Sequence, residues 1–322
     1  MTISHDQQST SSEIDASAVI ARLEAQVSLV LRGKPEAVRL AVVSLLSGGH
    51  VLIEDVPGVG KTTLAQALAR SLGLAFQRIQ FTSDLLPSDV LGVSIYRQEV
   101  EKFEYVPGPI FCNVLVADEI NRASPKTQSA LLEAMSEGQI SIDGKRYALP
   151  QPFFVLATQN PLEYVGTFPL PESQLDRFAM SIELGYPPAD EERELLLSGG
   201  VENLLTGLEP VLSRTELESL RERAREVKVA EKLVDYMIGL AEISRSSADF
   251  ALGVSTRGVQ SWFRAVQALA LSEGRTFALP DDVQRLAVPV LSHRVVLRSG
   301  DGALSASRAA INALVASTPV PV

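Results

Sequence analysis

The sequence predicts an α/β fold, a parallel sheet with helices on both faces, followed by a smaller all-helical part. Three observations carry this. Five short apolar runs (HVLIE, AFQRIQF, FCNVLVA, FFVLAT and FAMSIEL) alternate with stretches of helical spacing between residues 50 and 184. Short buried strands alternating with helices are the mark of a parallel sheet. The first run opens into a glycine-rich turn and then a helix, and after GYPPADEEREL (residues 185–195) the spacing is helical to the end.

Taken in order, residues 1–16 are polar and rich in Ser, Thr and Gln, a composition expected to be disordered. Residues 17–48 carry apolar positions at helical spacing, Val19, Leu23, Val27 and Val30, then Val38, Val42, Leu45 and Leu46. LRGKP breaks them into two helices. HVLIE is too short for a core helix and reads as a strand; TTLAQALARSLG follows as a helix stopped by Gly73. Two stretches alternate apolar and polar residues. One is 93–109, around a charged centre; the other is 139–149, around Asp143-Gly144, a strong hairpin signal. Two prolines and the acids from Asp190 to Glu194 open the first helix of the second part, where negative charge suits the helix N-terminus. SRTELESLRERAREV, AEKLVDYMIGLAEISR, TRGVQSWFRAVQALALSEG and PDDVQRLAVPVLSHRV are its further helices. The expected division is a loose segment 1–16, a core 17–187, a helical domain 188–316 and a loose tail 317–322.

Composition narrows the function. The 322 residues carry a net charge of −10 and a pI near 5.0, which argues against broad electrostatic binding to nucleic acid. One cysteine, Cys112, excludes an intrachain disulfide, and the three histidines show no metal-ligand spacing. The N-terminus lacks the apolar core of a signal peptide and no apolar run approaches the roughly 18 residues of a membrane span. A cytoplasmic protein is the expectation.

The chemistry begins at residues 53–65, IEDVPGVGKTTLA. A glycine-rich turn between a strand and a helix N-terminus points backbone N–H groups at one spot and favours phosphate there. Gly58 and Gly60 let the backbone approach, Lys61 can reach the β- and γ-phosphates, and Thr62 can hold Mg²⁺. The common signature G-x-x-x-x-G-K-[ST] has glycine where this chain has Asp55, whose side chain can point away from the phosphates. The alternative is a glycine-rich turn with a surface lysine. The run FCNVLVADEINRAS ends in Asp118-Glu119. In a phosphate-loop protein such a tip supplies an Asp for Mg²⁺ and a Glu that deprotonates the attacking water. The alternative is an acidic pair capping the next helix. FFVLATQNP ends in Asn160, which a parallel sheet would bring to the same edge; a plain turn Asn is the alternative.

EDVPGVGKTTLA, LVADEINRASPKTQSALLEAMSEGQ, ATQNP and LPESQLDRF together closely resemble the MoxR family of AAA+ ATPases, in the helix-2-insert group. The resemblance runs from about Val30 to Val296 and includes Asp55. It implies a P-loop AAA+ core with a C-terminal helical lid. It implies that Pro57, Gly58, Val59, Gly60, Lys61, Thr62 and Thr63 form Walker A, that Asp118 and Glu119 form Walker B, and that Asn160 is sensor 1. Arg177 resembles the arginine finger inserted into a neighbour's site, and Arg257 resembles sensor 2 on the lid. Val30, Leu31 and Gly33 fall where the adenine sits. Arg177 could instead pair with Asp176 or Glu172, Arg257 could be a solvated first-turn residue, and Arg122 could face the next subunit. The implied protein binds ATP and Mg²⁺ between core and lid, hydrolyses ATP, and works as a chaperone-like remodeller in a self-assembled, hexameric ring. Its implied clients are proteins with von Willebrand factor A domains. The rival readings are a nucleotide-gated interaction scaffold with little turnover and a nucleic-acid motor.

Overall fold

The structure is a computed structural model and describes residues 15–160, 166–198, 200–298 and 304–320. The expected loose segment lies outside these residues except for its last two. Asp15 caps the first helix by accepting from Ser17 and Ala18, and Ala16 begins it. The end of the expected tail, residues 321–322, is likewise outside.

Helices α1 (Ala16–Val30) and α2 (Pro35–Leu46) precede strand β1 (Val51–Glu54). Then come α3 (Lys61–Ser71), β2 (Phe76–Gln80), α4 (Pro87–Leu91), and a hairpin of β3 (Gly92–Arg97) and β4 (Lys102–Pro107). β5 (Val114–Asp118), α5 (Pro125–Glu137), a second hairpin of β6 (Gln139–Ile142) and β7 (Lys145–Ala148), β8 (Phe154–Gln159), α6 (Glu172–Leu175) and β9 (Met180–Ile182) follow. The remainder is α7 (Ala189–Leu197), α8 (Val201–Thr206), α9 (Arg214–Glu226), α10 (Glu231–Ser246), β10 (Phe250–Leu252), α11 (Thr256–Ser272), α12 (Pro280–Leu291), β11 (Val296–Leu297) and α13 (Leu304–Ser317).

The five apolar runs form one parallel sheet in the order β2-β5-β8-β1-β9. Because side chains alternate along a strand, each run feeds two cores. Val51, Ile53, Val114, Val116, Phe154 and Leu156 face the side covered by α1, α2 and α3. Leu52, Leu115, Ala117, Val155 and Ala157 face the side covered by α5 and the hairpin roots. Cys112 is buried in the second core, and burial pushes its thiol up to about 12, so it packs as a small hydrophobe.

The first core runs without a break into the helical part, where Trp262 is fully buried and its indole donates to Val283 O at 3.0 Å. The expectation that strands end after residue 195 is corrected: β10 and β11 pair as a small antiparallel ribbon. Runs of three and two residues are too short to show a period.

The two parts also meet through charge. Arg294, buried just after α12, donates from Nε to Asp176 Oδ1 at 2.9 Å and from Nη1 to Ala179 O at 3.2 Å. Its neighbour His293 donates from Nε2 to Phe178 O at 3.1 Å, and Ser255 Oγ donates to Asp176 at 3.0 Å. The SHR stretch is therefore the fastening of the helical part to the segment that leads into β9.

His50, at the foot of β1, bridges elements in the same way: its Nδ1 accepts from Val155 N and its Nε2 donates to Met135 O, each at 3.1 Å. That arrangement requires a neutral ring, and burial pulls its pKa down to about 4. Burial also lowers His293 well below the ordinary value, helped by the Arg294 charge. Both histidines bind protons less readily folded than unfolded, so stability is full above the unfolded pKa of 6.5 and falls as pH drops from there toward 4. Urea unfolding at pH 7 and pH 5 is expected to show a loss on the order of 2 kcal/mol from His50 alone. His50→Gln should flatten that slope; an unchanged slope in a folded variant would remove His50 from the account.

Candidate nucleotide site

In the parallel sheet every strand ends at one edge: Glu54 stands beside Gln159, and Gln80 beside Asp118. The turns after these ends enclose a cleft of about 340 Å³. Pro57, Gly58, Gly60, Lys61, Thr62 and Thr63 line it from the loop, Arg78 and Gln80 from β2, Asp118 and Glu119 from the end of β5, and Asn160 from the end of β8. The loop, the two acids and the asparagine read from the sequence are thus gathered in one place.

Gly58 and Gly60 have φ of +83° and +101°, a region that L side chains avoid, and a Cβ on Gly60 would stand 2.9 Å from Leu31 Cδ1. Gly60 hands over directly to α3, whose first N–H groups face the cleft from its N-terminus. The Lys61 ammonium donates to the Asp55 main-chain oxygen and, at 3.5 Å, to Gln159 O. Burial lowers its pKa, while Asp55, Asp118 and Glu119 pull it up. The Asp55 side chain does turn away from the cleft: it accepts from Val56 N at 2.8 Å, Leu184 N at 2.7 Å and Gly185 N at 2.6 Å.

Thr158, one residue inside the end of β8, sets both acids. Its hydroxyl donates to Asp118 Oδ1 at 2.6 Å and accepts from Glu119 N at 2.9 Å. Glu119 adopts φ 55°, ψ 49°, a left-handed conformation that costs a non-glycine residue on the order of 1 kcal/mol. The bend turns its carboxylate into the cleft, where Oε2 accepts from Gln80 Nε2 at 2.8 Å and Arg122 Nη1 at 3.0 Å. Arg122 thus lies against the catalytic candidate of its own chain. Asp118 Oδ2 accepts from Arg78 Nη2 at 2.5 Å and Nε at 3.2 Å. The acids do not cap the next helix; Ser124 does, accepting from Thr127 N. Arg78, Gln80 and Thr158 were not singled out in the sequence. Their only signal there is polarity near the ends of apolar runs.

The adenine-side residues adjoin the cleft without lining it. Val30 and Leu31 are buried in the core, Val59 is buried beneath the loop, and Gly33 is exposed in the α1–α2 corner with Pro188 against it.

The two remaining arginines lie elsewhere. Arg177 donates to Leu132 O at 2.7 Å and Ser136 Oγ at 2.9 Å, at the far end of α5. Arg257 reaches the same Ser136 Oγ at 3.4 Å. With Arg264 they line a second cleft of about 320 Å³ beside His50 and Ala179, at the foot of β1 and β9. A 13-residue helix, α5, separates this edge from the nucleotide cleft, roughly 20 Å at 1.5 Å per residue. Arg257 stands in this second cleft, away from the phosphate loop of its own chain. Nor, among the described residues, does any of 188–316 line the nucleotide cleft, although Pro188 packs on Gly33 beside it. The physical reason is the SHR fastening, which holds the start of α11 to the amino-terminal edge of the sheet. Among the described residues neither Arg177 nor Arg257 has an acidic partner.

Comparison with known proteins agrees with this geometry. Residues 50–180 match the family model described as the ATPase family associated with various cellular activities (AAA), and residues 242–313 match that of the AAA lid domain. The chain is 47% identical over 283 residues to YeaC of Bacillus subtilis, covering 88% of each. It is 43% identical to Chaperone MoxR1 of Mycobacterium tuberculosis, over 84% of this chain and 74% of that one. It is 34% identical to Protein MoxR of Paracoccus denitrificans, over 85% and 87%. A crystal structure from Cytophaga hutchinsonii superposes with a TM-score of 0.86 at 35% identity, covering 95% of this chain and 96% of the other. With the phosphate loop, the strand-tip acids and the lid in this arrangement, the chain belongs to the MoxR family of AAA+ ATPases.

Proposed function

We propose that the chain binds ATP with Mg²⁺ in the strand-end cleft, hydrolyses it, and uses the cycle to remodel partner proteins in a ring of its own copies. The observation that carries the reading is the convergence of Gly58–Thr63, Asp118, Glu119 and Asn160 on one 340 Å³ cleft. The loop and the α3 N-terminus would hold the phosphates, with Lys61 leaving Asp55 O for the β- and γ-oxygens.

The cleft fits a magnesium ion. Among the described residues no three acids or histidines form a metal cage. Mg²⁺ needs none, since it keeps waters and takes one or two protein oxygens plus substrate phosphates. Asp118 already draws a cation, the Arg78 guanidinium, to its carboxylate. Thr62 and Asp118 would hold the ion, which when bound neutralises charge on the phosphates. Glu119 would accept the proton of the attacking water as the new O–P bond forms and the bridging O–P bond breaks, with Asn160 beside the γ-phosphate.

Arg177 and Arg257 sit on the edge away from their own loop, which supports a head-to-tail assembly in which both act on the next copy's ATP. A hexamer, chaperone work and clients with von Willebrand factor A domains are what the resemblance implies. The relative named Chaperone MoxR1 supports the second.

Glu119→Gln is expected to bind Mg·ATP and hydrolyse it about 10²–10⁴-fold more slowly. Equal turnover would place the base elsewhere. A pull-down with this variant in ATP is the route to the clients.

Mixing tests the shared site. Lys61→Ala should bind no ATP while its melting curve stays that of a folded chain. Arg177→Ala and Arg257→Ala should bind ATP and turn it over poorly. Either arginine variant mixed with Lys61→Ala should regain part of the wild-type rate, in a concentration-dependent way, once co-purified tags prove mixed assemblies. Mixed assemblies with no recovery would return that arginine to a structural role.

A further inference from the structure

The chain carries Asp55 where phosphate loops commonly carry glycine, and the side chain makes three backbone hydrogen bonds in 2.6–2.8 Å. Two of them, to Leu184 N and Gly185 N, leave the loop altogether and land on the segment that leads from β9 into the helical part. The same segment is gripped from a second side. Lys34, buried in the α1–α2 corner, donates to Gly185 O and, at 2.7 Å, to Val59 O between the two loop glycines. Gly185 therefore has its N–H on Asp55 and its C=O on Lys34, and both partners are fixed to the phosphate loop.

Past this point the chain is held only at the surface, by Pro188 and Glu191 against Gly33 and by the Arg32–Glu194 ion pair. Gly185 has φ +64° with open space around it, Tyr186 is 77% exposed, and α7 buries none of its residues. A glycine flanked by loosely packed chain is where backbone rotation is least costly. On the loop side, Lys61 donates to the main-chain oxygen of Asp55 itself. A phosphate that draws Lys61 away changes the hydrogen bonding of that peptide.

We propose that Asp55, together with Lys34, is a positioning residue that ties the root of the helical part to the phosphate loop, so that nucleotide in the loop is registered at Gly185. The proposal rests on the reading of the cleft as an ATP site. A glycine at 55 would leave Val56 N, Leu184 N and Gly185 N without this acceptor, and the loop could fill and empty with no signal at the hinge. Burial lowers the Lys34 pKa and the Asp55 charge raises it.

The test is Asp55→Gly in the full chain, with three readouts: affinity for Mg·AMP-PNP, steady-state kcat and KM for ATP, and hydrogen exchange of residues 183–198 with and without nucleotide. The wild type is expected to change its exchange at 183–198 on binding. Asp55→Gly should keep its affinity within about threefold and its KM near wild type, lose about tenfold in kcat, and show exchange at 183–198 indifferent to nucleotide; couplings between sites are typically of this size. Asp55→Asn, which keeps one acceptor for Leu184 and Gly185, should recover part of the rate and of the nucleotide response. Should Asp55→Gly not fold, Lys34→Met takes its place with the same readouts and the same expectations. A folded variant with wild-type kcat and a wild-type exchange response overturns the proposal. So does loss of nucleotide binding, which would make Asp55 part of the pocket. An active wild type whose 183–198 exchange ignores nucleotide sinks the coupling alone, whereas a wild type that neither binds nor hydrolyses ATP sinks the ATP reading instead.

Discussion

Every polar group of the nucleotide cleft depends on strand direction. In a parallel sheet the carbonyl ends of β1, β2, β5 and β8 meet at one edge, so four turns distant in sequence face one volume. Had β5 run the other way, Asp118 and Glu119 would sit beside His50 at the foot of the sheet. The register is set by burial on both faces: a slip of one residue would exchange the contents of the two cores. The hydrophobic effect thus fixes where the chemistry sits, although no apolar residue takes part in it.

The same edge logic accounts for the helical part. A buried guanidinium leaves water at a cost of several kcal/mol, and Arg294 is tolerated because the Asp176 carboxylate and four main-chain oxygens receive its donors. Such a pair adds little net stability, yet it leaves few alternative positions for what it joins, since any shift exposes an unpaired charge to the core. Burial lowers the Arg294 pKa to about 10 against the pull of Asp176. Helix α11 and Arg257 are held at the foot of the sheet as a result.

Much of this was legible in the sequence because the signals were local. A glycine-rich turn between strand and helix, and acids closing an apolar run, have their meaning within a dozen residues, and even the outward turn of Asp55 followed from its place at the loop entrance. What escaped was of two kinds. Arg78, Gln80 and Thr158 are ordinary polar residues on strands; they matter only because β2 and β8 flank β5, an order that no local pattern states. The site of Arg257 depends on contacts between residues about 80 apart, Ser255 with Asp176, and its amphipathic helix reads the same wherever it docks. The division into two parts was read from a change in spacing, while the apolar packing passes through it from α2 to α11.

Helix α5 touches each of these regions in turn. It starts six residues after the Glu119 carboxylate, offers Leu132 O and Ser136 Oγ to Arg177 near its other end, and passes through Gly138 directly into the β6–β7 hairpin. The tip of that hairpin holds the first one, Asp143 accepting from Ser94 at 2.6 Å while Tyr147 stacks on Tyr105 at 4.3 Å. A helix of this length behaves as a stiff rod. A tilt of about 10° around its buried middle would carry each end roughly 2 Å, enough to break a hydrogen bond at either. Such a tilt would pivot in the second core and shift the cleft end and the hairpin end of the helix together.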